Sequence, residues 1–169
     1  MPRDPWQAAG FLLGLASMLW LSPLALRASP SLEAGHRDQL EATLHQDVNR
    51  VRADRHLIPL VRMPELDAVA RAHSHDMAQR RYLSHESPEG NNPVHRLSEG
   101  GIQGFSLAAE NIGLTSRSEP TREIVEGWLN STDHRQNLYA PAFNATGIGV
   151  ARGSDGSLIY TQLYLTLPH

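Results

Sequence analysis

The chain of 169 residues contains no cysteine and no lysine. Without cysteine there is no thiol nucleophile, no disulfide framework, no thiolate metal site and no lipid-bearing cysteine of a lipoprotein. Without lysine there is no Schiff-base chemistry and no P-loop cradle for a nucleotide phosphate. All 15 basic residues are arginine, set against 18 acidic ones for a formal net charge of -3. Such a mildly acidic, lysine-free chain carries no nucleic-acid footprint. Aromatic residues are sparse at 6%, yet 40% of the chain is apolar, and 13 Gly and 11 Pro keep it within the bounds of one ordinary globular domain. Any metal site must therefore be built from nitrogen and oxygen, and nine histidines supply the nitrogen.

One long apolar run is present, from Ala8 to Leu26, preceded by Arg3, interrupted by Pro23 and followed by Arg27 and the small residue Ala28. A short charged start, an apolar core and small residues after it form the pattern of a secretory signal over residues 1–28, leaving a single domain at 29–169 that starts near Ser29. The alternative is a retained single-span anchor, because the run is just long enough to cross a bilayer. Either way the domain is expected outside the cytoplasm, secreted or periplasmic. Its lack of disulfides points to a bacterial exterior.

Beyond the leader, Leu40, Leu44, Val48 and Val51 recur at three- and four-residue steps, which predicts an amphipathic helix from Leu32 to about His56. Pro59 and Pro64 bracket a short extended link. Pro64 then opens a second helix to about Tyr82, with Leu66, Val69, Ala70, His73 and Met77 as its inward stripe. The segment Ser84 to Pro93 is dense in Ser, Pro, Gly and Asn and reads as an ordered loop, with a short helix from Val94 to Ser98 after it. Phe105 to Leu114 predicts a strand with a loop. Ser118 is the expected cap of a third long helix whose apolar side is Ile124, Val125, Trp128 and Leu129. Ser131 or Thr132 offers a cap for a short helix from Asp133 to Leu138 that Pro141 ends. Gly147–Arg152 and Leu158–Leu165, joined by Gly-Ser-Asp-Gly, read as an antiparallel hairpin. Helices with a few antiparallel strands between and after them imply an α+β layered domain.

Four features can carry chemistry: His85 in the polar loop, Glu110 in the strand, His134 at a helix start, and the pair His73 and His75. The pair is two residues apart and points to different helix faces, so it does not share a metal. His73 reads as a packed histidine with a hydrogen-bond partner, and His75 as solvated. His36, His45, His56, His95 and His169 show no partner pattern and default to the surface. His134 at a helix N-terminus is expected to stay neutral, as a metal ligand must. Were Glu110 brought beside His85 and His134, two nitrogens and a carboxylate would leave a fourth position for water, the arrangement of an open zinc site. The separations are too long to be specific, so ordinary loop and cap roles stand beside that reading. Glu86 and Asp133, adjacent to the two histidines, could orient their rings.

The blocks ARAHSHDMAQRRYLSHESPEG, AENIG, EGWLNSTDHRQNLYAPAFNATGIGVA and IYTQLY, in that order, resemble the bacterial branch of the CAP superfamily. That superfamily takes in cysteine-rich secretory proteins, venom antigen five and pathogenesis-related proteins of class one. The resemblance covers roughly Leu40 to Leu165. It implies an α+β fold, a three-layer α-β-α sandwich around a central antiparallel sheet, with a cleft that holds two histidines and two glutamates. His85, Glu110 and His134 match three of the four. The second glutamate, expected shortly after Trp128, has no match, and Ser131 and Thr132 occupy that stretch. The resemblance further implies a secreted module that binds a lipid, glycan, peptide or protein ligand, with a divalent metal, zinc foremost, at His85, His134 and Glu110. A metal-assisted hydrolase with Glu110 as base is the alternative. The sequons at Asn130 and Asn144 matter only in a glycosylating host.

Overall fold

The computed structural model describes residues 30–168, with side-chain surroundings from Glu33 onward, so the expected export segment at 1–28 and His169 lie outside the described residues. The first helix, α1 (Pro30–Ala53), buries the predicted Leu40, Leu44 and Val48. Met63 stays extended ahead of α2 (Pro64–Arg80), and Pro64 takes the first helical position, where its missing N–H costs nothing. Asn92 caps the short α3 (Pro93–Glu99) by accepting the His95 N–H at 2.9 Å. After β2 (Leu107–Thr115) come α4 (Pro120–Asn130), α5 (Thr132–Tyr139) and the hairpin of β3 (Ala145–Arg152) and β4 (Leu158–Thr166).

The caps of α4 and α5 depart from expectation. Glu119, not Ser118, precedes α4, and it makes no side-chain cap bond. Pro120 sets the backbone of the first turn and disfavours helical geometry at the residue before it, so the entry is fixed without a hydroxyl. Ser131 does stand at the start of α5, again without a side-chain cap bond.

The sheet has the order β1-β3-β4-β2. Its three long strands are antiparallel. The link between Pro59 and Pro64 adds a two-residue strand, β1 (Val61–Arg62), that runs parallel to β3. Such a short strand leaves much of the β3 edge uncovered, and two buried carboxylates finish it. Asp67 accepts the Ile148 N–H at 2.8 Å and Glu41 the Val150 N–H at 3.3 Å. Arg62 bridges both acids, 2.7 Å from Glu41 and 2.9 Å from Asp67, so neither charge is buried unpaired.

Side chains alternate across the sheet. Ile148, Val150, Tyr160 and Tyr164 join α1, α4 and α5 in the larger core, while Leu163 and Leu165 join α2 on the other face. This is the expected three-layer sandwich. Trp128 faces the sheet as its stripe predicts, and its indole N–H donates to the Ile112 carbonyl at 2.8 Å. Arg52 is fully buried, and among the described residues no carboxylate pairs with it. Its guanidinium instead donates to the carbonyls of Ile58, Leu138, Ala140 and Phe143, tying the end of α1 to the chain after α5.

Candidate functional site

His73, on the buried face of α2, lies with Nε2 3.0 Å from the Ser84 carbonyl, which accepts from the ring N–H. That bond pins the backbone one residue before His85. The His85 ring then meets β2, with Nδ1 2.9 Å from Glu110 Oε1. The Glu110 side chain is 1% exposed, and its other oxygen, Oε2, accepts from Arg96 Nη2 at 2.7 Å. Arg96 also donates through Nη1 to the carbonyls of His85 at 2.9 Å and Asn91 at 2.7 Å. One arginine on α3 thus closes the loop from His85 to Asn91 onto the buried carboxylate. His73 Nε2 lies 3.9 Å from Glu110 Oε1, so the carboxylate has a second imidazole beside it.

His134 arrives from the other side, in the first turn of α5. Its carbonyl accepts from Asn111 Nδ2 at 3.1 Å, and the same amide donates to the Tyr164 hydroxyl at 3.2 Å. Asn137 on α5 donates to Asn111 Oδ1 at 2.8 Å, so a buried polar chain docks α5 on β2 beside Glu110. The His85 and His134 ring centroids are 6.1 Å apart with the planes tilted by 55°. The structure therefore brings together all three residues that sequence separation left unconnected.

Burial, first, and the neighbouring His85, second, hold the His134 imidazole below its ordinary protonation range, with Asp133 opposing them. The N-terminal dipole of α5 disfavours the imidazolium in the same direction. His73 is also lowered, chiefly by burial, against a raising influence of Glu110. Among the described residues neither Glu86 nor Asp133 hydrogen-bonds a site ring. Glu110 itself orients His85.

His73 is the packed histidine the stripe predicts, and His75 is exposed. His45 departs from its expected surface role, since its Nε2 lies 2.9 Å from the Leu60 carbonyl and 3.0 Å from Asn49 Nδ2. Asn49 sits four residues on along α1 and also accepts the Leu60 N–H at 2.8 Å, which turns that helix face toward the chain before β1. Arg96 and the nearness of His73 to Glu110 are the features sequence reasoning missed. The only local signal for Arg96 is its position in a proline-initiated helix directly after the polar loop.

Among the described residues no group of three His, Asp or Glu side chains is already arranged to hold a metal ion. The donor chemistry is nonetheless that of a two-histidine set. With Nδ1 turned to Glu110, His85 offers Nε2, and burial favours the neutral form of His134. A carboxylate behind a ligating imidazole is the usual outer support of a metal-bound histidine. Both Glu110 oxygens are engaged, by His85 and by Arg96, so Glu110 fits that supporting place better than a ligand position.

Comparison with known proteins places this geometry in context. Residues 45–164 match the family model described as CAP: Cysteine-rich secretory protein family. The uncharacterized protein YkwD of Bacillus subtilis (strain 168) is 34% identical over 138 residues, 82% of this chain and 49% of that protein. The uncharacterized membrane protein YlbC of the same organism is 40% identical over 97 residues, 57% of this chain and 26% of that protein. The chain thus spans half or less of the length of these relatives. Among solved structures, an extracellular protein containing a SCP domain from Bacillus anthracis superposes with a TM-score of 0.71 at 30% identity, covering 82% of this chain and 44% of that one. An outer surface protein of Borrelia burgdorferi shares the fold, with a TM-score of 0.70 at 20% identity over 77% of this chain and 94% of that one. A family model matched over residues 45–164, most of the described domain, makes this chain a member of the CAP family.

Proposed function

We propose that the chain is an extracellular binding module whose cleft at His85, Glu110 and His134 holds a ligand rather than turning one over. The observation that carries the reading is the commitment of Glu110. A general base needs a carboxylate oxygen within reach of a water or substrate proton. Glu110 is 1% exposed, with one oxygen on His85 and the other on Arg96. The second family glutamate is absent, so no other carboxylate of that set takes the part. The imidazoles of His85 and His134 remain to meet a lipid, glycan, peptide or protein ligand. A divalent ion, zinc foremost, would be held by the free ring nitrogens of these two histidines, and when bound it supplies a positive centre for a ligand oxygen. The apolar run at Ala8–Leu26 supports export. The description of the Bacillus anthracis relative as extracellular supports the same location.

The test is zinc titration by calorimetry on the purified protein, paired with a screen for hydrolysis of ester, peptide and glycan substrates with and without zinc. Zinc binding without zinc-dependent turnover is expected. Turnover that Glu110→Gln abolishes would replace the binding module with the hydrolase.

A further inference from the structure

The segment that leads from α2 to His85 also builds a cavity. Arg81, Tyr82 and Leu83 line it together with Leu114 of β2, and it is an open concavity of about 590 Å³. That volume lies in the range of small-ligand sites. Met77, Ala78 and Ile159 form a buried floor. Six large aliphatic side chains are left exposed among the described residues, and two of them, Leu83 at 48% and Leu114 at 49%, line this one cavity. Exposed apolar side chains gathered at one concavity mark a contact site, whereas single ones need no explanation.

Arg81 supplies the charge. It caps α2 in the left-handed region, at φ 58 and ψ 50, where glycine or asparagine is the residue that avoids backbone strain. A long cationic side chain held at such a position points to use of the side chain. Among the described residues its guanidinium has no carboxylate within ion-pair distance, and its side-chain hydrogen bond is a 3.3 Å contact from Nη2 to the Ser154 hydroxyl. The nearby acid, Asp155, is turned to Ser157, whose N–H and hydroxyl donate to Oδ1 at 3.0 and 2.6 Å. The rim therefore sets both Arg81 and Asp155 at an apolar floor, with the carboxylate satisfied by Ser157 and the guanidinium left for an anionic group.

We propose that this cavity binds the carboxy-terminus of a peptide that ends in an apolar residue. The terminal side chain lies on Met77 and Ile159 between Leu83 and Leu114, and the terminal carboxylate meets the Arg81 guanidinium in a charge-assisted hydrogen bond. The Ser154 hydroxyl, which accepts from Arg81, is left able to donate to the preceding peptide group, a partner that a plain hydrocarbon chain would leave unused. The cavity goes beyond the imidazole cleft and does not need a metal there. The two sites share only the segment 81–85, with Ser84 fixed by His73 between them.

The experiment is calorimetric titration of the full chain with N-acetyl-Ala-Ala-Leu as the free acid and as its amide. The acid is expected to bind at least about tenfold more tightly than the amide. Arg81→Asn, which suits the left-handed backbone and removes the charge, is expected to bring the acid down to the amide. Leu114→Asp is expected to weaken both, and Leu83→Ser replaces it if its melting temperature shows a folding defect. His85→Ala is expected to leave peptide affinity within about twofold, which separates this site from the metal reading. No binding of the acid, equal binding of acid and amide, or decanoate binding more tightly than the peptide with the same dependence on Arg81 would each overturn the proposal.

Discussion

Arg96 and Glu110 share a charge-assisted hydrogen bond of 2.7 Å beneath the paired imidazoles, with 11% and 1% of their side chains exposed. Because the same guanidinium holds the carbonyls of His85 and Asn91, one side chain sets both the charge under the site and the path of the loop above it. Removing one partner of such a pair strands the other charge, whereas removing both is far less costly. Arg96→Met is therefore expected to destabilise the fold by about 3 kcal/mol. Arg96→Met with Glu110→Gln is expected to lose less than the sum of the two single changes. Denaturant unfolding of the four proteins measures the coupling. Strict additivity would remove the pair from the stability of the domain.

Gly149 and Gly147 decide how closely α2 lies on the sheet. A Cβ at Gly149 would overlap the backbone of Ala70 and Arg71, and one at Gly147 the backbone of Leu66. Neither clash can be relieved by a flexible side chain, so the helix must move. Gly149→Ala is expected to cost about 1–3 kcal/mol or more. It should also weaken the imidazole site, because α2 carries His73 and leads into His85. A melting temperature equal to that of the unaltered protein would show that α2 gives way without penalty.

The parts of this molecule that are legible in the sequence are those written in local periodicity. Leu40, Leu44 and Val48 mark α1, the run from Leu66 to Met77 marks α2, and the turn around Asp155 and Gly156 marks the hairpin. The strand at Val61 and Arg62 has no such signature, because two residues have no period and exist as a strand only through parallel pairing with β3. The same holds for the site. Local pattern tells that His73 faces inward but not that its ring holds Ser84 and stands beside Glu110. Arg96 is invisible for the same reason, since its partners belong to the loop and to β2. The family resemblance supplies the long-range part that periodicity lacks, and only for His85, Glu110 and His134.

His73 and His134 both have protonation ranges lowered by burial below the ordinary value of 6.5. As pH falls through about 6.5 the unfolded chain takes up protons that these folded-state rings refuse, so folding stability declines, and the decline levels once the folded rings protonate as well. Stability is thus fully present above that window and is lost below it. His73→Gln keeps an amide donor for the Ser84 carbonyl and removes the titration. Its melting temperature is expected to fall less between about pH 7 and pH 5 than that of the unaltered protein. Parallel curves would assign the pH dependence to other groups.

The imidazole pair gives the sharpest test of a shared metal. If His85 and His134 hold one zinc ion, His85→Ala and His134→Ala should each remove most of the affinity, and the double variant should lose little more, because the site is already broken. Zinc affinity should fall on acidification, since a protonated imidazole cannot ligate. The lowered protonation range of His134 keeps that ring available at neutral pH. Glu110→Gln retains an acceptor for the His85 ring but withdraws the negative charge behind it. A supporting carboxylate of this kind changes metal affinity by about 10- to 100-fold, less than the loss of a ligand. Calorimetry on Glu110→Gln should therefore fall between the unaltered protein and His85→Ala. A loss equal to that of His85→Ala would make Glu110 a ligand, which requires Arg96 to release its oxygen when zinc binds.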